Sequence, residues 1–478
     1  MKITLEEFEE LIKSESIIKD LTIDLSSNNE IYLNNLYKSK LEINNCNFIG
    51  NPLIIYDILA YKEDSINELF KVITISNCSF EGLIIQGLSA KIFSLYNLQI
   101  KNQGLSIEHS QFGKLSIEAF NNINYRIFIN YIETSQNTNI LGNKYIDGGS
   151  LSISNSSIHN GDFTESRYND ILFQSNTFTG NFHFFKNNLN ENSERFLFDE
   201  CTFEKVNFSR TTFSKNSEFN NCKFYKTSIF HDIVSRINSN INIESCLFEK
   251  FVQFNYASLN KLEIDNTKFN EVVSFQEMNL NIISIDRTIF EKTALFDEIQ
   301  INNIEKCDTR TFRLIKQQLQ KAENKIDFNR FRVYEFNAYK KDITEKLIKL
   351  KRKENTDKIK SEIRYLKRDK FILCISDLVS EYGTNWIKSL WFTLISGIIC
   401  YLLLFVIENF SKSVDFRNSS EFFAGIFRFF LVTDFYNPLI NDRIYLTNPF
   451  SWIVFIFGKI LIAFGIYEMI QSFRKFKI

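Results

Sequence analysis

Large apolar residues fall on a five-residue beat between positions 248 and 301: Phe248, Phe254, Leu259, Ile264, Phe269, Phe275, Leu280, Ile285, Phe290, Phe296 and Ile301. One step of six follows every three steps of five, so the pattern closes after 21 residues. Two residues ahead of each stands a second, often smaller position, from Cys246, Val252 and Ala257 to Ala294 and Ile299. Such a beat matches neither the 3.6-residue period of a helix nor the two-residue period of an ordinary strand. Self-similarity at a fixed period is the signature of a solenoid. Four short sides with one inward residue each, plus one extra residue per turn, predict a four-sided parallel β-helix. It should occupy residues 21–307, with about a dozen coils rising ~4.8 Å each. Ahead of it, Thr4-Leu5-Glu6-Glu7 forms a capping box and Leu5, Phe8, Leu11 and Ile12 share one face. That predicts a helix within residues 1–20 closing the open end of the solenoid. The polar stretch Asn121–Gly149 is expected to leave as a lateral loop, and Asn181–Phe198 and Phe230–Asn240 break the register.

The run CTFEK-VNFSR-TTFSKN-SEFNN-CKFYK places Phe203, Phe208, Phe213 and Phe224 centrally, with Cys201, Thr211 and Cys222 two residues before three of them. It resembles the pentapeptide-repeat family, whose unit is a small residue, a polar residue, Leu or Phe, and two variable residues. The resemblance implies a right-handed β-helix, and the general right-handed parallel β-helix is the nearest alternative.

Past Asp308 the spacing becomes helical, and two helices are expected, the second opened by Asp327. Arg313, Lys316, Glu323, Asp327, Phe331 and Glu335 resemble the helical pair that follows such coils in bacterial membrane proteins. The resemblance implies a cap on the last coil that turns the chain towards a bilayer. Lys340–Lys370 then holds 13 Lys and Arg against 6 Asp and Glu over an apolar helical stripe. Lys351, Arg352, Lys353, Arg364, Lys367 and Arg368 are the candidate lipid-facing residues of a juxtamembrane segment. Residues 308–386 thus read as helical cap and basic linker, with Phe371–Trp386 lying at the interface.

Residues 387–478 read as a membrane hairpin. Leu390–Ile407 carries no charge and is long enough to span, and Phe450–Ile470 spans with Lys459 near its centre. Between them Phe422, Phe423, Ile426, Phe427, Phe430 and Leu431 make a broad apolar stripe, as in a re-entrant or interfacial helix. Span, short helix and span is the order of a two-span cation channel. Where such channels place glycine-rich carbonyls, this chain has Val432-Thr433-Asp434-Phe435-Tyr436, which argues against potassium selectivity. The closing stretch, through Gly458, Lys459, Gly465, Tyr467 and Arg474, resembles the last span of the same bacterial solenoid–membrane proteins. A mid-bilayer ammonium needs a partner or water. Lys459, Glu468, Asp434 and Arg428 are therefore the candidate pore or intramembrane pairing residues, with assembly clamp and pore lining both open.

Composition sharpens this picture. The chain has 50 Phe against 15 Gly and 3 Pro, which suits stacked aromatic ladders. Net charge is −1, yet residues 1–307 carry 27 basic and 39 acidic residues, and residues 308–478 carry 29 and 18. An acidic module is thus joined to a basic one. Basic residues before the first span and after the second place both termini and the solenoid in the cytoplasm, against a bacterial inner membrane. Cys46, Cys78, Cys201, Cys222 and Cys246 recur in the phrase Asn/Glu/Ser-Cys-x-Phe. With Phe203, Phe224, Phe248, Phe269 and Phe290 they form the expected core ladder, as reduced thiols. The cysteine and histidine spacing points to neither metal nor cofactor, and no nucleophile constellation suggests catalysis.

The expected function is a non-enzymatic, membrane-anchored cytoplasmic scaffold or sensor. Its acidic solenoid would dock an unidentified protein partner, and its channel-like hairpin would assemble as a homo-oligomer, in a setting such as stress response or antiphage defence. Two alternatives stay open. One is a β-helix carbohydrate-active enzyme using stacked Glu244, Glu263, Asp265 and Asp286. The other is an acidic mimic of nucleic acid that binds a protein; direct nucleic-acid binding is disfavoured by the charge.

Overall fold

The structure is a computed structural model that describes residues 1–33, 38–56, 70–101, 103–118, 126–141, 149–189, 195–213, 216–235, 239–352, 357–410, 419–440 and 443–474. The chain divides into two compact units, Met1–Cys307 and Asp308–Ile478. The first is a parallel β-solenoid of about 12 turns with roughly 22 residues per turn.

Between residues 223 and 301 each turn contributes four short parallel ladders. One runs through Phe224, Phe248, Phe269 and Phe290, and the next through Ser228, Val252, Val273 and Ala294. A third joins Val234, Ser258 and Asn279, and a fourth joins Ile241, Leu262 and Ile283. Earlier turns use fewer and longer strands, such as Lys38–Asn44, Ser89–Tyr96 and Gln111–Glu118. Every apolar position of the five-residue beat lies inside. The aromatic ladder Phe203–Phe224–Phe248–Phe269–Phe290 stacks with ring centroids 5.1, 4.3, 4.8 and 5.2 Å apart and planes within 12°. A second column, Phe208–Phe230–Phe254–Phe275–Phe296, stacks beside it at 4.7–5.2 Å. Offset stacking adds to area burial in such columns.

The cysteines occupy two different corners. Cys46 and Cys78 follow the long strands Lys38–Asn44 and Phe70–Ser76, and the Cys46 amide meets the Cys78 sulfur at 3.4 Å. Cys201, Cys222 and Cys246 share another corner with Asn176 before them and Thr267 after. There each small side chain reaches a carbonyl of the preceding turn: Cys201 to Phe173, Cys222 to Phe198, Cys246 to Phe219 and Thr267 to Ile243. Thiol, hydroxyl and amide are interchangeable here because all are small donors that satisfy a buried corner carbonyl. Burial holds the Cys201 and Cys222 thiols well above their usual range, so they remain protonated. The residue before each is left-handed, as at Asn45 (φ 53°), Asn77 (φ 53°) and Asn221 (φ 53°). Asn tolerates that region better than most side chains, which accounts for the first letter of the phrase.

Two expectations change. A strand, Lys2–Thr4, precedes the capping helix and pairs with Thr22–Asp24, so ladder formation starts ahead of Leu21. The helix α1, Leu5–Ser14, keeps the capping box, with Thr4 N to Glu7 Oε2 at 2.9 Å, and its Phe8 ring meets Phe48 at 5.4 Å. Within the expected lateral loop, Arg126–Asn130 and Glu133–Leu141 are paired rungs, the second bulged between Thr134 and Asn137, and Ile127, Ile129, Thr134, Thr138 and Ile140 point inward. Residues 121–125 and 142–148 of that stretch lie outside the described residues. At Phe230–Asn240 the register breaks as expected, since Phe224 pairs Phe248 at an offset of 24 residues where neighbouring turns use 21, and the ladder resumes beyond it.

The second unit is helical. Helices α2 (Thr309–Lys321) and α3 (Lys325–Lys351) pair around Glu335, which is buried and accepts from Arg313 Nε at 2.9 Å and from Lys316. Phe331 packs beside it, fully buried, and Asp327 pairs with Arg330 at 3.0 Å. Helix α4 (Asp357–Ser380) returns along α3, closing Ile343, Leu347 and Leu350 against Leu366, Ile359 and Ile363. Helices α5 (Trp386–Phe410) and α7 (Pro449–Arg474) are long and apolar enough to cross a membrane, and α6 (Ser419–Phe430) lies between them in sequence.

Lys340 on α3 donates to Asp377 on α4 at 2.8 Å, and Lys388 on α5 lies 3.6 Å from the same carboxylate. Burial opposes ionisation of Asp377, but the Lys340 hydrogen bond and the two ammonium charges outweigh it and hold the carboxyl below its usual range. The same hydrogen bond raises Lys340. The stability this pair supplies is therefore fully present above a normal carboxylate pKa of about 4 and is lost as pH falls through the lower folded value. It is lost again above about pH 10, as Lys340 deprotonates. Lys340→Met should flatten the acid limb of a melting-temperature profile below about pH 4 while costing about 1 kcal/mol or less at pH 7. Identical acid limbs in the two proteins would refute the coupling.

Candidate functional site

The α5–α7 hairpin has a small or polar seam and an apolar exterior. Ser451, Phe455, Gly458, Lys459, Ile462, Gly465, Glu468 and Ser472 of α7 are buried. A Cβ on Gly465 would stand 2.0 Å from Thr393 Oγ1, and one on Gly458 would stand 2.6 Å from the Phe429 ring and 2.9 Å from Cys400 Cβ. These glycines, seven residues apart, let α7 approach its neighbours closely, as small residues do where helices meet in lipid.

Lys459 sits in this seam, 4% exposed. Its ammonium donates to the backbone carbonyls of Phe429 at 2.8 Å and Leu431 at 2.6 Å, with Arg428 O at 3.4 Å. The rings of Phe429 and Phe455 flank it with centroids 5.3 and 5.0 Å away. Phe429 O lies in the last turn of α6, where carbonyls lack helical partners and carry the negative end of the dipole, while Arg428 O also accepts from Leu431 N at 3.2 Å and Leu431 O, just past the helix, from Asp434 N at 3.0 Å. A tethered cation thus caps a 12-residue helix. Lys459 lies ten residues into α7, about 15 Å along its axis at 1.5 Å per residue, so α6 ends near the middle of a ~30 Å hydrocarbon layer if α7 spans it.

Of the residues expected near Lys459, Asp434 and Arg428 join it around the end of α6. The Asp434 carboxylate accepts from Tyr436 N at 3.1 Å, and Arg428 Nη1 donates to Ile440 O at 3.0 Å, tying α6 to the following segment. Glu468 stands apart, at the α4 junction, where its Oε2 accepts from Ser380 Oγ at 2.6 Å and Ser380 Oγ accepts from Gly383 N at 2.8 Å. Phe455 and Ile462 share the buried face of Lys459, whereas Ile456 is exposed. The carbonyl partners were not foreseeable from side-chain chemistry; the available signal was a lysine opposite the end of a short amphipathic helix.

In the basic segment Lys351, Arg352, Arg364, Lys367 and Arg368 are exposed, and Lys353 lies outside the described residues. Further along α4, Phe371, Ile372 and Leu378 are exposed as well. On the solenoid, Glu244, Asp265 and Asp286 occupy one rung position in three successive turns, and Arg287 Nε donates to Asp265 Oδ1 at 2.9 Å. Glu263 lies two residues before Asp265, paired in register with Asn242 and Ser284. Among the described residues no cluster of His, Cys, Asp and Glu is arranged to hold a metal ion. In comparisons with known proteins, no family model, curated protein or solved structure matches this chain.

Proposed function

We propose that the chain is a non-catalytic scaffold of the pentapeptide-repeat type, anchored in the bacterial inner membrane by the α5–α7 hairpin. The solenoid and both termini face the cytoplasm, and the acidic solenoid docks a basic protein partner. The observation that carries the anchor is the inverted character of the hairpin. Its interior holds Ser389, Thr393, Ser451, Lys459 and Glu468, while Ile395, Leu403, Ile453, Phe457 and Ile460 face outward. Only 28% and 33% of the two apolar windows is buried, where the core helix of a water-soluble protein would be mostly covered. Exposed cations on α4 next to exposed Phe371 and Ile372 suit an anionic membrane surface, which attracts each Lys or Arg by about 1 kcal/mol.

Two spans enclose no aqueous path, so a channel-like role belongs to a homo-oligomer. Within one chain Lys459 acts as a clamp, and the hairpin serves first as an anchor. A regulatory setting such as stress or phage defence fits a scaffold whose specificity lies in its solenoid.

Alkaline carbonate extraction should leave the full chain in the membrane pellet. In a Cys374→Ser background, Tyr445→Cys should react with an impermeant maleimide in intact cells, and Tyr256→Cys only after lysis. Both positions are exposed. Release by carbonate would remove the anchor, and labelling of Tyr256→Cys in intact cells would reverse the orientation.

A further inference from the structure

A cavity of about 620 Å³ opens between the α2–α3 turn and the end of α7. Its size is that of a pocket for a small ligand. Leu319 and Phe328 give it an apolar side, and Gln471 and Asn329 supply amides. Three cations line it, Lys325, Arg332 and Arg474, against one acid, Glu323. Among the described residues neither Arg332 nor Arg474 has a carboxylate within ion-pair distance; Arg332 is half-buried and lies over the Phe336 ring, 5.8 Å from its centroid. Lys325 opens α3, so the positive end of that helix dipole adds to the field. The cavity therefore carries more positive than negative charge, with Glu323 its one lining acid.

Its position narrows the ligand. Arg474 is the last residue of α7, and the preceding Phe473 stacks on Trp386 at 5.3 Å, at the start of α5. Aromatic residues at the ends of spans mark headgroup depth. Gly383, in the link between α4 and α5, lines the cavity with φ 77°, a conformation that suits glycine and keeps its wall free of a side chain.

We infer that this cavity binds a phosphate-bearing anion, and that the phosphate is the headgroup of an anionic phospholipid. The source, though not the phosphate chemistry, rests on the proposed anchoring of α7. Guanidinium groups suit this ligand because their planar fork matches phosphate oxygens in pairs.

The test uses the full chain in detergent micelles, which does not depend on its native membrane. Binding of dioctanoyl phosphatidylglycerol, dioctanoyl phosphatidylcholine and inorganic phosphate is followed by native mass spectrometry and by thermal shift. Saturable uptake of one phosphatidylglycerol, stronger than phosphatidylcholine, is expected. It should weaken roughly tenfold or more in Arg332→Gln/Arg474→Gln, as expected for loss of charge-assisted hydrogen bonds. The charge-matched control Lys250→Gln/Lys292→Gln, on the solenoid, should bind normally. Saturation by inorganic phosphate that depends on Arg332 but not on lipid keeps the phosphate site and assigns it a soluble ligand. Uptake of neither, or uptake indifferent to the double substitution in a protein that melts normally, overturns the proposal. A chain that binds lipid in micelles yet is released by carbonate would fail the anchor alone.

Discussion

Phe224→Asp should abolish the cooperative fold of the solenoid turns around it. Its ring lies between Phe203 at 5.1 Å and Phe248 at 4.3 Å, is 1% exposed, and has no cation beside it among those stacked partners. A carboxylate there must ionise in an apolar column or take up a proton, and either route costs several kcal/mol. Losing the ring adds the ~3–5 kcal/mol typical of a large aromatic truncated in a core. Together these approach the ~5–15 kcal/mol that holds an ordinary domain folded. Because each turn contacts only its neighbours, the damage should start at that turn and spread along the ladder. Limited proteolysis of the full chain should find new cleavage near residue 224 while the helical unit stays resistant. Phe224→Leu, which keeps the apolar fill, should lose only about 1–2 kcal/mol. A soluble Phe224→Asp protein that melts as the parent does would show that the inward register is wrong.

Lys459→Met should loosen the hairpin rather than merely discharge it. The substitution removes the donor to Phe429 O and one of two donors to Leu431 O, which keeps Asp434 N, and with it two ring contacts. A buried carbonyl left without a donor costs about 1–3 kcal/mol, so a loss of that order is expected from Phe429 O. The saved cost of inserting an ammonium offsets part of this, since that penalty is about 3 kcal/mol or more. The sign is decided by the reference state: in the disassembled hairpin Lys459 can snorkel towards water, so little of the saving appears on assembly. Melting in micelles should fall, and α6 should become accessible, as read by maleimide labelling of Phe422→Cys. In Lys459→Ala, added propylammonium should restore part of the loss by occupying the vacated site. Unchanged melting and labelling in Lys459→Met would rule out the clamp.

The solenoid was legible because its signal is repetitive. The Phe248–Ile301 beat recurs often enough that chance matches fade, and each member is inward in the structure. The two cysteine corners were not separable, since Asn45-Cys46 and Asn221-Cys222 read alike although one closes a long strand and the other a short one. The strand Lys2–Thr4 has three residues, too few for a period to register. In the helical unit, the spacing of Arg313, Lys316 and Glu335 marked out a helical pair without saying that one carboxylate receives both cations. Lys459 stood out as an intramembrane charge, but its partners are backbone atoms, and every residue carries those. The electropositive cavity escaped notice because Lys325, Arg332 and Arg474 come from separate helices and meet only once the chain is folded.

The stacked rungs also set how the protein answers a pull. In a parallel solenoid each turn is bonded to the one before and the one after, so tension applied along the rod peels a single turn from an end instead of shearing many at once. A turn of roughly 22 residues frees about 75 Å of slack chain as it detaches, at ~3.4 Å per residue. Pulled in this way, the solenoid would lengthen in quanta, as a ratcheting leash does.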